Sequence, residues 1–524
     1  MTGIARTRGV VLLGVEGCVV DVEAHVSIGV SGFSVVGLAD KLVGEARDRC
    51  RSAFLTSGLD WPGPKNTVGL SPAELPKKGP TLDAAIAAAL LAASGQIPRD
   101  IVAQWVIVGE LSLDGRLRPV RGALVTAIAA HRAGARRLIV PHANAAEAGL
   151  VTDLDVVGVR TLAGLVALAR GEDPPDAELN DEPISDAVEN TPEHHSPPVP
   201  DLADVRGQFE ARAALELAAA GGHHLAMVGE PGIGKTLLAA RLPGLLPALD
   251  EHSSLEVTSI HSVAGRSLRK GELVTTPPFE SPHHTATYAA LVGGGSSTPR
   301  IGMVSLAHRG VLFLDEAPEF RPATLEALRQ PLESGVIVIN RSGFHVQLPA
   351  RFQLVLAMNP CPCGYAASSS SGNTARCTCS SQQRRSYLAR VSGPLMDRID
   401  LRVMLSRPTL ADLAFGEANA EPTAVVAARV LQARDRARDR FRGSPWSMNN
   451  DVPGPELHRH YRLSIAAAEP LNSALMRGHI SPRGADRVAK VAWTVADLAG
   501  HASPEPSDVL AALAHRAGDT SWVA

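Results

Sequence analysis

The sequence predicts an α/β chain of several domains that ends in a helical part, and three observations carry that reading. A length of 524 residues exceeds what one hydrophobic core accommodates. Residues 171–205 hold no Lys or Arg, while Asp and Glu recur among seven prolines; such a stretch buries too little apolar surface to offset its ordering entropy. From about Thr409 the apolar spacing is helical to the end. The expected division is a domain over 1–170, an acidic Pro-rich linker over 171–205, a core over 206–408 and a helical lid over 409–524.

In the first domain, residues 26–36 and 66–70 read as strands, 82–93 as a buried helix, and 105–111 as a strand leading to the Asp114-Gly115 turn. After the linker, residues 208–220 have helical spacing and stop at Gly221-Gly222. The short apolar strand 224–228 then runs into a glycine-rich loop, and the runs 310–314 and 352–357 suit buried strands of a parallel sheet. Helices are expected over 424–442, 464–477, 482–498 and 507–516.

Composition narrows the function. With 51 basic and 54 acidic side chains and a net charge of -3, the chain has no global attraction for a polyanion, so any nucleic-acid site is local. The apolar run from Ala84 to Ala93 is about half of the ~20 residues that a membrane-spanning helix needs. Six cysteines, four of them between Cys361 and Cys379, argue against a disulfide framework and for a reducing compartment. The expectation is a cytoplasmic protein without a membrane partner.

Gly229-Glu230-Pro231-Gly232-Ile233-Gly234-Lys235-Thr236 matches the phosphate-loop pattern between an apolar strand and a helix-forming run. There the glycines let backbone N–H groups wrap phosphates, Lys235 neutralises the β and γ charges, and the Thr236 hydroxyl ligates Mg2+ beside bound ATP or GTP. Residues 311–314 form an apolar strand that ends in Asp315 and Glu316. Asp315 is placed to hold Mg2+, and Glu316 to orient the attacking water.

With these motifs the chain resembles the AAA+ ATPases, and more closely their ComM/YifB group of magnesium chelatase-like proteins. The resemblance is carried by Leu75-Pro76-Lys77-Lys78-Gly79, Pro282-His283-His284, Ser305-Leu306-Ala307-His308-Arg309-Gly310, Met358-Asn359-Pro360-Cys361-Pro362-Cys363-Gly364 and Asp397-Arg398-Ile399-Asp400. It implies an AAA+ P-loop core with a helical lid, assembled as a ring, expected to be a hexamer, that drives branch migration or unwinding of DNA. It further implies Asn359 as sensor 1, Arg398 as the arginine finger and Arg483 as sensor 2, with Arg390 and Arg487 as rivals for the two arginine roles. The first domain resembles the Lon protease catalytic domain through Pro76-Lys77-Lys78-Gly79-Pro80-Thr81 and residues 109–122. Leu124 stands where that family has its lysine and cannot accept a proton, so a Ser-Lys type of dyad is not expected, and Thr81 reads as a helix-start residue.

Cys361, Cys363, Cys377 and Cys379 form two close pairs, a set suited to one tetrahedral Zn2+ or to four free thiols. Residues 336–346 read as two strand-like segments around a turn, and Arg341 and His345 are candidates for DNA phosphate contacts. Arg384 and Arg385 beside Tyr387 form a second basic and aromatic cluster, whereas residues 429–442 alternate Arg with Asp like an ion-paired exposed face. Two other functions fit the same motifs: a motor subunit for metal insertion into a tetrapyrrole, and a nucleotide-gated DNA-binding scaffold.

Overall fold

The computed structural model describes residues 3–37, 40–77, 79–175, 200–266, 271–294, 300–341, 344–366, 377–407 and 420–517. Residues 176–199 of the expected linker and residues 408–419 at the expected start of the lid lie outside them.

Among the described residues the N-terminal part builds a seven-stranded sheet. Its order is Gly32–Val36, Lys65–Ser71, Glu16–Ser27, Gly3–Leu13, Trp105–Ile107, Arg137–Pro141 and Asp155–Val159. Gly3–Leu13 and Glu16–Ser27 pair as an antiparallel hairpin along their whole length, and the last three strands join in parallel. This hairpin corrects the single strand expected over 26–36: pairing ends at Ser27, Ile28 and Val30 are exposed, and a new strand starts at Gly32. The expected strand 105–111 also divides, because Gly109 packs against Leu117, and Glu110–Leu111 pairs with Leu117–Arg118 instead. Helix Asp83–Ala93 is buried throughout and, beyond Asp83, which pairs with Arg49 at 2.5 Å, apolar on every face, as a helix inside a core is. Its N-cap is Leu82 without a side-chain bond, so Thr81 does not cap it; instead the Thr81 carbonyl accepts from the Gly109 N–H at 2.9 Å.

The second sheet is wholly parallel, in the order Phe279–Glu280, Val311–Leu314, Gln353–Met358, Leu225–Val228 and Leu401–Met404. Its central strands are buried at every position, which is why they read as continuous apolar runs without alternation. The loops that follow Val228, Leu314 and Met358 therefore open along one edge of this sheet.

The approach to Val311–Leu314 is tightly specified. A Cβ on Gly310 would lie 2.1 Å from the Pro278 carbonyl oxygen. His308 accepts from the Arg351 N–H at 3.0 Å through Nδ1. Glu256, on helix Glu251–Ala264, meets His308 Nε2 at 3.2 Å and Arg309 Nε at 3.0 Å. The His308 hydrogen bond, with the Arg309 charge and against the effect of burial, holds the Glu256 carboxyl down at about 2.

Among the described residues five α-helices lie within the expected lid, Thr423–Arg440, Gly454–His460, Ile465–Met476, Pro482–Ala499 and Pro506–Ala517, and they share one apolar cluster with the parallel sheet. The end of the expected linker also belongs to that cluster: Leu202 and Val205 are buried in it, and Asp201 accepts from the Thr423 N–H at 2.7 Å. Two apolar residues among the prolines are enough to dock this end. Along Thr423–Arg440, Arg429 pairs with Glu216 and Glu421, Arg438 with Asp435, and Arg442, just beyond the helix, with Asp439. Arg440 departs from that exposed pattern, pairing with buried Asp497 beneath the Trp493 ring. No helix of the described residues is long and apolar enough to cross a membrane.

A depressed carboxyl contributes stability above its ordinary pKa and loses it on protonation. Glu256→Gln is accordingly expected to lower the unfolding midpoint at pH 7 by roughly 2–4 °C. The gap from wild type should close as pH falls from 4.5 toward about 2, which thermal melts across that range would check.

Candidate nucleotide site

The loop after Leu225–Val228 requires its glycines. Gly232 and Gly234 have φ of +75° and +103°, which L side chains rarely adopt. A Cβ on Gly229 would sit 2.9 Å from Ile233 Cγ2 and 3.0 Å from Leu405 Cβ. Lys235 is 7% exposed, and its ammonium donates to the carbonyls of Gly229 (2.7 Å) and Glu230 (2.9 Å) and to Asn359 Oδ1 (2.9 Å). Burial lowers its pKa, while Asp315 and Glu316 pull in the opposite direction. Thr236 Oγ1 donates to Asp315 Oδ2 at 2.7 Å. A hydroxyl and a carboxylate meeting at one point are the hard oxygen donors that Mg2+ takes beside phosphate, so these residues fit that ion.

Glu316 has φ +51°, which turns the chain sharply after Asp315. Its N–H donates to Asp315 Oδ1 at 2.9 Å, and its carboxylate lies 3.3 Å from His284 Nδ1. The His283 and His284 rings are 4.1 Å apart. At the other end of the loop, Glu230 pairs with Arg407 at 2.6 Å. Lys235, Thr236, Asp315, Glu316 and Asn359 thus come together at the ends of neighbouring strands.

The arginines fall into different settings. Arg398 is 9% exposed; it donates to the Pro394 carbonyl at 2.6 Å and pairs with Glu333. Arg390 pairs with Glu319 at 3.2 Å. Arg483 begins helix Pro482–Ala499, is exposed, and makes no side-chain hydrogen bond or ion pair among the described residues. Arg487, one turn later, binds buried Asp400 at 2.5 Å.

The four cysteine sulfurs lie within 4.8 Å of one another. Cys361 is 3.2 Å from Cys363 and 3.7 Å from Cys377, and Cys363 is 3.6 Å from Cys377. Burial pushes Cys361 up to about 12, whereas the Tyr365 N–H pulls Cys363 down to about 6. This loop touches the phosphate loop directly: a Cβ on Gly364 would lie 2.5 Å from Pro231 Cγ.

Strands Val336–Arg341 and Phe344–Pro349 form an antiparallel hairpin whose Ile337, Val346 and Leu348 are buried. His345 is exposed and contacts Asn340. The hairpin tip at 342–343 and the Arg341 side chain lie outside the described residues. Arg384 and Arg385 are exposed, but Tyr387 is 3% exposed, so the expected basic and aromatic cluster offers no ring to a base. Leu124 is fully buried.

Sequence reasoning missed His284 beside Glu316, Glu333 beside Arg398 and Arg407 beside Glu230. The Pro282-His283-His284 phrase carried the first signal; the other two pairs join residues 65 and 177 positions apart and leave none.

A parallel sheet with this strand order, a phosphate loop, an Asp-Glu strand end and a following helical part define a P-loop NTPase fold of the AAA+ class. Family models described as magnesium chelatase, subunit ChlI, match residues 201–413 and 22–144, and its C-terminal model matches 420–516. An uncharacterized protein of Mycobacterium tuberculosis is 48% identical over 513 residues, 98% of each chain. The uncharacterized protein YifB of Escherichia coli is 40% identical over 98% of this chain and 97% of its own. Competence protein ComM of Haemophilus influenzae is 39% identical over 96% of each. The chain belongs to the ComM/YifB family of magnesium chelatase-like AAA+ proteins. Its N-terminal region is Lon-like, with 31% identity over 125 residues to a Lon protease of Syntrophomonas wolfei.

Lys235→Ala is expected to weaken ATP binding at least about tenfold. Glu316→Gln should leave affinity within about twofold while turnover falls roughly a hundredfold. Nucleotide titration beside steady-state hydrolysis separates the two, and ordinary turnover in both variants would remove the site assignment.

Proposed function

We propose that the protein is a cytoplasmic ATP hydrolase that assembles into a ring, a hexamer, and converts turnover into movement along DNA, driving branch migration or unwinding. The observation that carries the ATPase reading is the convergence of Lys235, Asn359, Thr236 and Asp315 within hydrogen-bond distance, with Glu316 adjoining. In this reading Lys235 holds the β- and γ-phosphates, and Thr236 and Asp315 hold Mg2+. Glu316 takes the proton of the attacking water, and Asn359 fixes that water or the γ-phosphate. Arg398 reaches the ATP of the neighbouring subunit, stabilising charge on the transferring phosphoryl, and Arg483 reads the nucleotide of its own subunit.

DNA as the partner is supported by the similarity to a competence protein along nearly the whole chain, and by a hairpin with one apolar face docked and His345 outward. Arg341 and His345 are the proposed phosphate contacts. The family descriptions support a second reading, a motor for magnesium insertion into a tetrapyrrole, which requires partner subunits and no stimulation by DNA.

The cysteines are proposed to hold one structural Zn2+. The separations among Cys361, Cys363 and Cys377, 3.2–3.7 Å, approach the about 3.8 Å edge of a tetrahedron with metal–sulfur bonds of about 2.3 Å, and the Cys379 sulfur lies within 4.8 Å of the other three. That ion would stiffen the loop seated on Pro231. Cys361→Ser with Cys377→Ser is expected to abolish roughly one bound Zn2+ per chain and raise the KM for ATP several-fold, about 3- to 10-fold. Metal analysis and kinetics test this, and an unchanged metal content would exclude the site.

The function is tested by ATP turnover with no DNA, single strands, duplex and four-way junctions, followed by junction dissociation. Stimulation of about tenfold or more by one of these, with dissociation that Glu316→Gln abolishes, is expected. Turnover indifferent to every DNA would overturn the DNA motor. Arg398→Ala should be inactive alone yet regain part of its turnover when mixed with Lys235→Ala subunits; no regain at any ratio would rule out a shared site.

A further inference from the structure

The turn that carries Arg398 is gripped by the lid from two sides. Asp400 is buried, accepts from the His224 N–H at 2.9 Å, and receives Arg487 Nη1 at 2.5 Å from helix Pro482–Ala499. Arg516, from helix Pro506–Ala517, donates to the Ile399 carbonyl, and to that of Asp397 at 3.3 Å. One guanidinium thus sets the Asp400 side chain, two residues after Arg398, while another sets the backbone on both sides of Arg398. Arg516 and Asp400 are 7% and 1% exposed, so these bonds are shielded from water and hold their geometry.

Arg398 itself is held differently. Its carboxylate partner Glu333 has a side chain 61% exposed, and a screened pair of that kind exchanges readily for a better anion. The base of the arginine is fixed, while its tip is held by that exchangeable pair and by one hydrogen bond to the Pro394 carbonyl at 2.6 Å. Arg483 and Arg487 are also one helical turn apart on one helix, so they share a face. Arg483 is exposed and Arg487 is anchored, and any displacement of the helix that follows engagement of Arg483 reaches Asp400 through Arg487.

We propose that Arg487 and Arg516 are positioning residues that couple a subunit's own lid to the arginine it offers its neighbour. Nucleotide bound in one site then sets the aim of the Arg398 that serves the next site. This inference rests on the reading of a site shared between subunits, with Arg398 acting in trans. It makes Arg487 neither the finger nor the sensor, but the link between them.

The test uses full-length protein carrying Arg487→Gln and, independently, Arg516→Lys, which keeps the charge but has one nitrogen to offer in place of the two that reach separate carbonyls. A misaimed finger lowers kcat, about tenfold or more, while the variant's own KM for ATP stays within about twofold. Because their phosphate loops are intact, both variants should be rescued by Lys235→Ala subunits, which bring a correctly held Arg398. Arg487→Lys should recover part of the kcat. Arg398→Ala mixed with Lys235→Ala is the control: without rescue there, the shared site itself fails. If that control is rescued while Arg487→Gln and Arg516→Lys are not, or if both keep full kcat, the lid does not set the finger. Should Arg487→Gln fail to fold, Arg516→Lys alone decides by the same criteria.

Discussion

A single ammonium joins the two strand ends on which the site is built. Lys235 donates to the carbonyls of its own loop, which follows Leu225–Val228, and to Asn359 at the end of Gln353–Met358. That bridge is possible because the two strands are adjacent, parallel and in a register that sets Val228 beside Met358. The Gly229 N–H donates to the Met358 carbonyl at 3.1 Å, and the Leu405 N–H to the Val228 carbonyl at 2.7 Å, so the loop is tied to both neighbouring strands as it leaves the sheet. A buried lysine would favour losing its proton; Asp315 and Glu316 on the next strand counter this and keep a cation where phosphate charge is to be met.

What the sequence made legible follows from how strictly each residue type is required. Gly232 and Gly234 need positive φ, and the strands buried on both faces need unbroken apolar runs, so loop and parallel sheet were readable from residue types alone. The N-terminal hairpin was not. Gly3–Leu13 and Glu16–Ser27 have one largely buried face and a mixed face bearing Arg6, Arg8, Asp21 and Glu23, which reads as polar chain until the partner strand is known. Leu202 and Val205 were hidden by the prolines and acids around them. The contacts of His284, Glu333 and Arg407 are created by the fold and have no signature in local spacing.

The Cys361–Cys379 loop shows how one close approach ties a peripheral segment to the site. Gly364 lies against Pro231 with no room for a Cβ, so the cysteine loop and the phosphate loop cannot move independently at that point. Cys361 comes two residues after Asn359, and its sulfur accepts from the Ala366 N–H at 3.3 Å, closing the loop on itself. Anything that orders these thiols therefore acts on Asn359 along the chain and on Pro231 through space.

Two arginines of similar burial illustrate how burial of the partner, rather than of the cation, separates a structural arginine from one held in reserve. Arg440 pairs with Asp497, whose side chain is 2% exposed, also donates to Asn449, and sits 4.3 Å from the centre of the Trp493 ring. Removing it would strand a buried carboxylate, a change that costs several kcal/mol, about 3–5. Arg398 has a side chain 11% exposed against 15% for Arg440, yet its partner Glu333 is mostly in water. Releasing Glu333 returns that carboxylate to solvent at little cost, because exposed pairs contribute about 0–1 kcal/mol. In the proposed shared site, a phosphoryl group arriving from a neighbouring subunit competes with that weak, screened attraction and with the hydrogen bond to the Pro394 carbonyl at 2.6 Å. In the proposed role an arginine that serves a second chain has to be satisfied in the first without being committed there, and an exposed glutamate opposite a firmly held turn meets both conditions.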